Sequence, residues 1–108
     1  MLFDTHAHFD DAKFDADRDA VIQSLKEYGV GYVTNIGADM ASSQAAVSLA
    51  EKYDFIYAAV GVHPSETEKL SEKDMEVLRD LALAHDKVRA IGEIGLDYHF
   101  APYDAEKQ

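Results

Sequence analysis

The chain has 108 residues, of which 47% are hydrophobic, and it contains no cysteine. This length supports a single domain with a real core, and the lack of cysteine excludes disulfides and thiolate metal sites. The formal net charge of −11 argues against a broad basic surface for nucleic acid, although bound metal ions could supply positive charge locally. No apolar run is long enough to span a membrane, and the N-terminus lacks a signal-peptide pattern. We therefore expect no membrane partner and a cytoplasmic location.

Four short apolar stretches have the composition of β-strands. The third is apolar on both faces, as expected of a parallel strand buried between two layers. The predicted strands cover residues 2 to about 5, 31–36, 55–60 and 88–94.

Three stretches with helical periodicity separate these strands. We predict that the first helix begins near Asp15 or Asp17, carries Val21, Leu25 and Tyr28 on its apolar face, and ends at Gly29. Asp39 is the predicted N-cap of the second helix. The sequence Ser71-x-x-Asp74 resembles a capping box and predicts the start of the third. His85 falls in the last turn of that helix, where it would complement the helix dipole, and the tail from residue 100 is predicted to be a loop that enters a fourth helix.

The order βαβαβαβ with short connections predicts parallel strands joined by right-handed crossovers. No linker divides the chain, so residues 1–108 are predicted to form one α/β domain. In a (β/α) barrel the active site lies at the C-terminal ends of the strands. Strands one, three and four end at residues that can carry chemistry, whereas strand two ends at Asn35 and Gly37, which we assign no role.

The first strand ends in the sequence His6-Ala-His8. Residues i and i+2 of a strand point to the same face, so both imidazoles can converge on one cation. Neutral imidazole binds zinc, nickel, iron and similar divalent ions. Two unrelated histidines are the alternative interpretation, and two ligands alone do not complete a site.

Further candidate ligands follow the third and fourth strands. Glu93 lies in an otherwise apolar strand, where a buried carboxylate needs a cation or hydrogen-bond donors; the alternatives are a metal ligand and a buried salt bridge. His63 precedes Pro64 and is either a ligand, a donor to an anionic substrate, or a loop histidine bonded to backbone. Asp97 shares a face with Glu93 and is a candidate to orient a ligand.

Three segments together resemble the TatD-type deoxyribonucleases, which are metal-dependent hydrolases of the amidohydrolase superfamily. The segments are Asp4-Thr-His6-Ala-His8-Phe-Asp10, Gly61-Val-His63-Pro64 and Gly92-Glu93-Ile-Gly95-Leu-Asp97-Tyr98.

The resemblance implies a TIM barrel with a centre of two divalent metal ions, chosen among Zn, Mg, Mn, Ni and Co. His6 and His8 would bind one ion, Glu93 would bridge both as a catalytic residue, and His63 would lie beside the substrate phosphate. The implied reaction is phosphodiester hydrolysis of DNA.

A complete barrel needs about 250 residues, whereas four βα units account for this chain. By resemblance, two more histidines and an aspartate would come from later strands. We therefore expect either a missing barrel half or self-association through open sheet edges. Two alternatives to the nuclease stay open: a superfamily enzyme acting on another ester, lactone or amide, and a truncated, catalytically incomplete chain that binds metal weakly.

Overall fold

A computed structural model describes all 108 residues and contains one four-stranded sheet. All three strand pairs are parallel, and the strand order is 1-2-3-4. The strands are β1 (Leu2–Ala7), β2 (Val30–Ile36), β3 (Ile56–Val60) and β4 (Val88–Ile91), and the helices between them are α1 (Arg18–Ser24), α2 (Met40–Lys52) and α3 (Glu72–Ala84). The alternating α/β order and the parallel sheet confirm the prediction from the sequence. No helix is long and apolar enough to cross a membrane.

The hydrophobic core lies between the helices and one face of the sheet. Alternate residues of the two central strands, such as Val33 in β2 and Ile56 in β3, are fully buried against Ile22 of α1 and Ala46 of α2. The opposite face is open, because Tyr32 in β2 is 43% exposed. This side carries aromatic residues that would fill the interior of a closed barrel.

The two long helices begin where their capping residues predict. The Asp39 carboxylate accepts a hydrogen bond from the Ser42 backbone at 2.7 Å, and Ser71 and Asp74 form a reciprocal capping box. The hydrogen bonds to Ser42 lower the pKa of the Asp39 carboxyl below its ordinary value, because they stabilise the charged form. Both helix starts are therefore confirmed in the positions that local sequence chemistry sets.

The first helix is shorter than predicted. It starts after Asp17 and ends at Ser24, so Tyr28 lies outside it and is 77% exposed. The remaining residues form successive turns that end at Gly29, whose φ of +84° favours glycine. The prediction of a continuous helix to Gly29 was wrong, because the backbone of residues 25–29 closes bonds between residues three apart, such as Tyr28 N–H to the Leu25 carbonyl oxygen, in place of the four-residue spacing of an α-helix.

The fourth strand and the tail also differ from prediction. β4 stops at Ile91 instead of continuing to residue 94, and no fourth helix forms after residue 100. His85 lies just after α3, and its Nδ1 is 2.5 Å from a carboxylate oxygen of Glu51 on α2. A side-chain partner, and not the helix dipole alone, therefore accounts for its position.

Candidate metal centre at the carboxyl ends of the strands

The histidines at the end of β1 share one face of the strand. The Nε2 atoms of His6 and His8 are 3.2 Å apart. Two imidazoles on one tetrahedral zinc ion, each about 2.0–2.1 Å from the metal, would place their nitrogens about 3.3 Å apart. The spacing therefore fits two ligands of one ion.

A backbone contact shows which ring nitrogen of neutral His8 carries the hydrogen. Its Nδ1 is 2.9 Å from the Ile36 carbonyl oxygen at the end of β2. A carbonyl can only accept, so Nδ1 carries the proton and the lone pair of Nε2 faces His6. Such an outer contact orients metal-binding histidines in general.

Buried Asn35 in β2 holds the loop that follows His8. Its Oδ1 accepts the Phe9 backbone N–H at 2.7 Å, and its Nδ2 donates to the Asp10 carboxylate at 2.8 Å. The side chain is completely buried. Asn35 was assigned no role from the sequence, although a polar residue in an apolar strand, on the helix-facing side with Val33, is a usable signal.

Glu93 lies beyond β4, where the backbone crosses the end of β3. A Cβ atom on Gly61 would lie 2.7 Å from the carbonyl carbon of Gly92, so glycine at position 61 permits this close approach. The Glu93 backbone N–H then donates to the Gly37 carbonyl oxygen of the β2 end at 2.7 Å. This route brings the fourth strand's carboxylate toward the first strand.

The Glu93 carboxylate faces three histidines. Its Oε2 lies 3.6 Å from His6 Nε2 and 4.0 Å from His8 Nε2, and its Oε1 lies 3.8 Å from His63 Nε2. The side chain is 34% exposed, so the prediction of a buried carboxylate within a strand was wrong. β4 ends two residues before Glu93, because the backbone there turns toward Gly37.

His63 has the opposite protonation pattern to His8. It precedes the 3-10 segment Pro64–Lys69, and its Nδ1 accepts the Ser65 backbone N–H at 3.1 Å. Because an amide can only donate, neutral His63 carries its proton on Nε2, the atom that faces Glu93. The sequence left three alternatives open, and the structure shows the loop histidine bonded to backbone through Nδ1. The Nε2–H that this bond leaves suits a donor to an anion better than a metal ligand.

The end of β2, which carries no candidate ligand, contacts all three parts of the site. We call residues 36–38 the carbonyl row. Its three successive carbonyl oxygens accept from the His8 ring, the Glu93 backbone and the His63 backbone at 2.9, 2.7 and 2.8 Å. No side-chain pattern could have revealed this role, because it belongs to the backbone.

One ligand atom each from His6, His8 and Glu93 lie within 4.8 Å of one another. This is the only such group of three or more His, Cys, Asp or Glu residues in the structure. Two nitrogens and one carboxylate oxygen are a ligand set that zinc and related divalent ions accept in catalytic sites. Asp97 accepts from the His99 backbone and makes no hydrogen bond or ion pair with these three residues, so its predicted orienting role gains no support.

A parallel βα sheet with histidine and carboxylate side chains close together at the carboxyl ends of its strands is the arrangement expected of a metal-dependent enzyme built on a (β/α) barrel. Residues 3–108 match the family model described as TatD related DNase, and the chain belongs to this family. The resemblance drawn from the three sequence segments is thereby confirmed.

Named relatives describe the same class. The chain is 43% identical over 110 residues to the Bacillus subtilis protein named uncharacterized metal-dependent hydrolase YabD, covering 100% of this chain and 43% of the relative. It is 36% identical to the Erwinia tasmaniensis protein named 3′-5′ ssDNA/RNA exonuclease TatD, covering 99% of this chain and 41% of the relative. The chain thus spans about two fifths of the length of these relatives.

The crystal structure of YjjV, a TatD homologue from Escherichia coli, matches the fold with a TM-score of 0.87 and 36% sequence identity. The match covers 98% of this chain and 41% of YjjV. It confirms that these residues form part of a barrel-type fold, with four parallel strands and the three helices between them.

Proposed function

We propose that the chain contributes one half of a two-metal centre that hydrolyses phosphodiester bonds of nucleic acid. The observation that carries the proposal is the convergence of His6, His8 and Glu93 at the carboxyl edge of the sheet, with the His63 Nε2–H beside them. The relatives named as ssDNA/RNA exonucleases support single-stranded nucleic acid as the substrate class.

The site residues divide the chemistry between them. His6 and His8 would hold one divalent ion, and Glu93, whose two oxygens make no hydrogen bond, would bind the same ion and bridge to a second. A bound divalent ion would activate water and neutralise charge on the phosphate. The Nε2–H of His63 would donate a hydrogen bond to a phosphate oxygen and thereby orient the substrate. A donor positioned in this way also stabilises developing negative charge.

Metal binding tests the centre directly. We expect Co²⁺ titrated into the purified chain to bind weakly at one site, because three ligands are available here. His6→Ala, His8→Ala and Glu93→Gln should each lower the affinity at least about tenfold, in line with the loss of a ligand or its support. His85→Ala is the matched control, since His85 also contacts a carboxylate but precedes β4, at the amino-terminal ends of the strands. Equal affinity in all variants would refute the centre.

The substrate is tested with a labelled single-stranded oligonucleotide and Mn²⁺. We expect metal-dependent binding with little hydrolysis by this chain alone, since the resemblance implies further ligands from later strands. His63→Asn should weaken the binding while keeping the fold, because asparagine can still cap the turn at Ser65 but lacks the distant ring N–H.

One outcome would contradict the proposed substrate, and another would contradict the expectation of little hydrolysis by this chain. Turnover of a lactone, amide or small phosphate ester, without oligonucleotide binding, would favour the second candidate, another hydrolase of the superfamily; relatives named only as metal-dependent hydrolases are compatible with it. Robust hydrolysis of the oligonucleotide by a homogeneous preparation would show that the ligands present here suffice.

A further inference from the structure

We propose that Ser43 on α2 is a positioning residue for the metal centre, because its hydroxyl frees the Gly37 carbonyl to hold Glu93. Ser43 is completely buried. Its Oγ accepts the Gly61 backbone N–H at 3.0 Å and donates to the Gly61 carbonyl oxygen at 2.9 Å. The inference rests on the metal centre proposed above.

The register between β2 and β3 shows which bond Ser43 replaces. Ile36 pairs with Ala59, and the Gly37 N–H donates to the Ala59 carbonyl oxygen at 2.9 Å. In a parallel ladder the carbonyl of the same residue accepts from the amide two positions further along the neighbouring strand. A regular ladder would therefore join the Gly61 N–H to the Gly37 carbonyl.

The structure shows a different pairing at this point. The Gly61 N–H goes to Ser43 Oγ, and the Gly37 carbonyl accepts the Glu93 N–H at 2.7 Å instead. A buried amide needs a partner, so Gly61 could not leave the ladder unless another acceptor were present. The Ser43 hydroxyl is that acceptor.

The exchange of hydrogen-bond partners at Gly61 and Gly37 determines where Glu93 lies relative to the histidines. The carbonyl of Gly37 lies between the carbonyls that hold His8 and His63, in the middle of the carbonyl row. Anchoring the Glu93 backbone there turns its carboxylate toward His6 and His8, although Glu93 follows the opposite edge strand. Ser43 makes no hydrogen bond to His6, His8 or Glu93, and its effect on Glu93 runs through Gly61 and Gly37.

Nuclear magnetic resonance on the metal-free protein tests the bond directly. Scalar coupling across hydrogen bonds should link the Glu93 amide nitrogen to the Gly37 carbonyl carbon in the unsubstituted chain. In Ser43→Ala this coupling should disappear and one from the Gly61 nitrogen should replace it. Ser48→Ala is the matched control, because Ser48 is exposed on the same helix and bonds only within it.

Co²⁺ affinity provides the second readout. We expect Ser43→Ala to weaken binding about tenfold or more, the usual effect of removing a contact behind a ligand, and Ser48→Ala to leave it unchanged. If Ser43→Ala does not fold, Ser43→Cys keeps a weaker hydrogen-bonding group on a somewhat larger side chain and should give an intermediate affinity.

Several results would overturn the proposal. A coupling between the Gly61 amide nitrogen and the Gly37 carbonyl carbon in the unsubstituted chain would by itself refute the proposal. Unchanged coupling and unchanged Co²⁺ affinity in Ser43→Ala would do so as well. Intact couplings and a Ser43-dependent affinity, together with a failure to bind oligonucleotide, would instead refute the proposed substrate and leave the positioning role standing.

Discussion

Replacing Asn35 by alanine should destabilise the fold and loosen the metal centre together. Asn35 is completely buried, and its side chain bonds to the Phe9 amide and the Asp10 carboxylate at 2.7 and 2.8 Å. In Asn35→Ala the buried Phe9 N–H loses its partner, which costs about 1–3 kcal/mol. The lost bond to the partly exposed Asp10 adds about 0.5–1.5 kcal/mol, because water replaces some of it. We expect a total loss of about 1.5–4.5 kcal/mol in the free energy of unfolding.

Urea unfolding at neutral pH measures this loss. The midpoint should fall while the slope with denaturant concentration stays constant, since the surface exposed on unfolding hardly changes. Co²⁺ affinity should fall with it, because Phe9 and Asp10 directly follow the candidate ligand His8. Ser48→Ala should change the free energy of unfolding by less than about 0.5 kcal/mol, as is usual for an exposed residue. A similarly small change in Asn35→Ala would refute the reasoning.

Three further predictions concern the crossing chain, a helix cap and the open sheet. Gly61→Ala should weaken Co²⁺ binding at least about tenfold, since the new Cβ would meet the Gly92 backbone at 2.7 Å and displace Glu93; unchanged affinity in a titration would contradict this. Folding lowers the pKa of the Asp39 carboxyl, so the ionised carboxylate stabilises the fold at pH values above its ordinary pKa of about 3.9. This contribution is lost as the pH falls through the lower pKa of the folded state. Asp39→Asn keeps a capping side chain but has no carboxyl to titrate. As the pH is lowered from 5 into the acid range, this variant should therefore lose less stability than the unsubstituted chain, and thermal melts at a series of pH values measure the difference. Sedimentation should show concentration-dependent association, because β1 and β4 both have an unpaired edge; a 12.0 kDa monomer with a cooperative melt at every concentration would show otherwise.

Local chemistry made much of the fold predictable. Asp39 and Ser71 start their helices where their side chains can bond to backbone amides, and such caps depend on a few adjacent residues. The candidate ligands could be predicted for a similar reason. His6, His8 and His63 lie at or just after the ends of predicted strands, and parallel strands bring those ends to one edge.

What the sequence could not predict depends on contacts between distant backbone groups. The early end of β4 and the partial exposure of Glu93 both follow from the bond between the Glu93 amide and the Gly37 carbonyl. Carbonyl groups occur at every residue, so nothing in the residue types singles out the carbonyl row. The same holds for Ser43, which resembles any small residue of a packed helix until its bonds to Gly61 are known.

The path of the chain after β4 explains how an open sheet can assemble a ligand set from its two outer strands. Three strand spacings of about 4.8 Å separate β1 from β4, or roughly 14 Å. The carboxylate of Glu93 nevertheless comes within 3.6 Å of His6 Nε2. The backbone covers most of the gap by passing over Gly61 and bonding to Gly37, one strand away from β1. Because this path uses only contacts within the described chain, the positions of His6, His8 and Glu93 relative to one another depend on it. Substitution of Ser43 or Gly61 should therefore affect the proposed metal centre more than the rest of the fold.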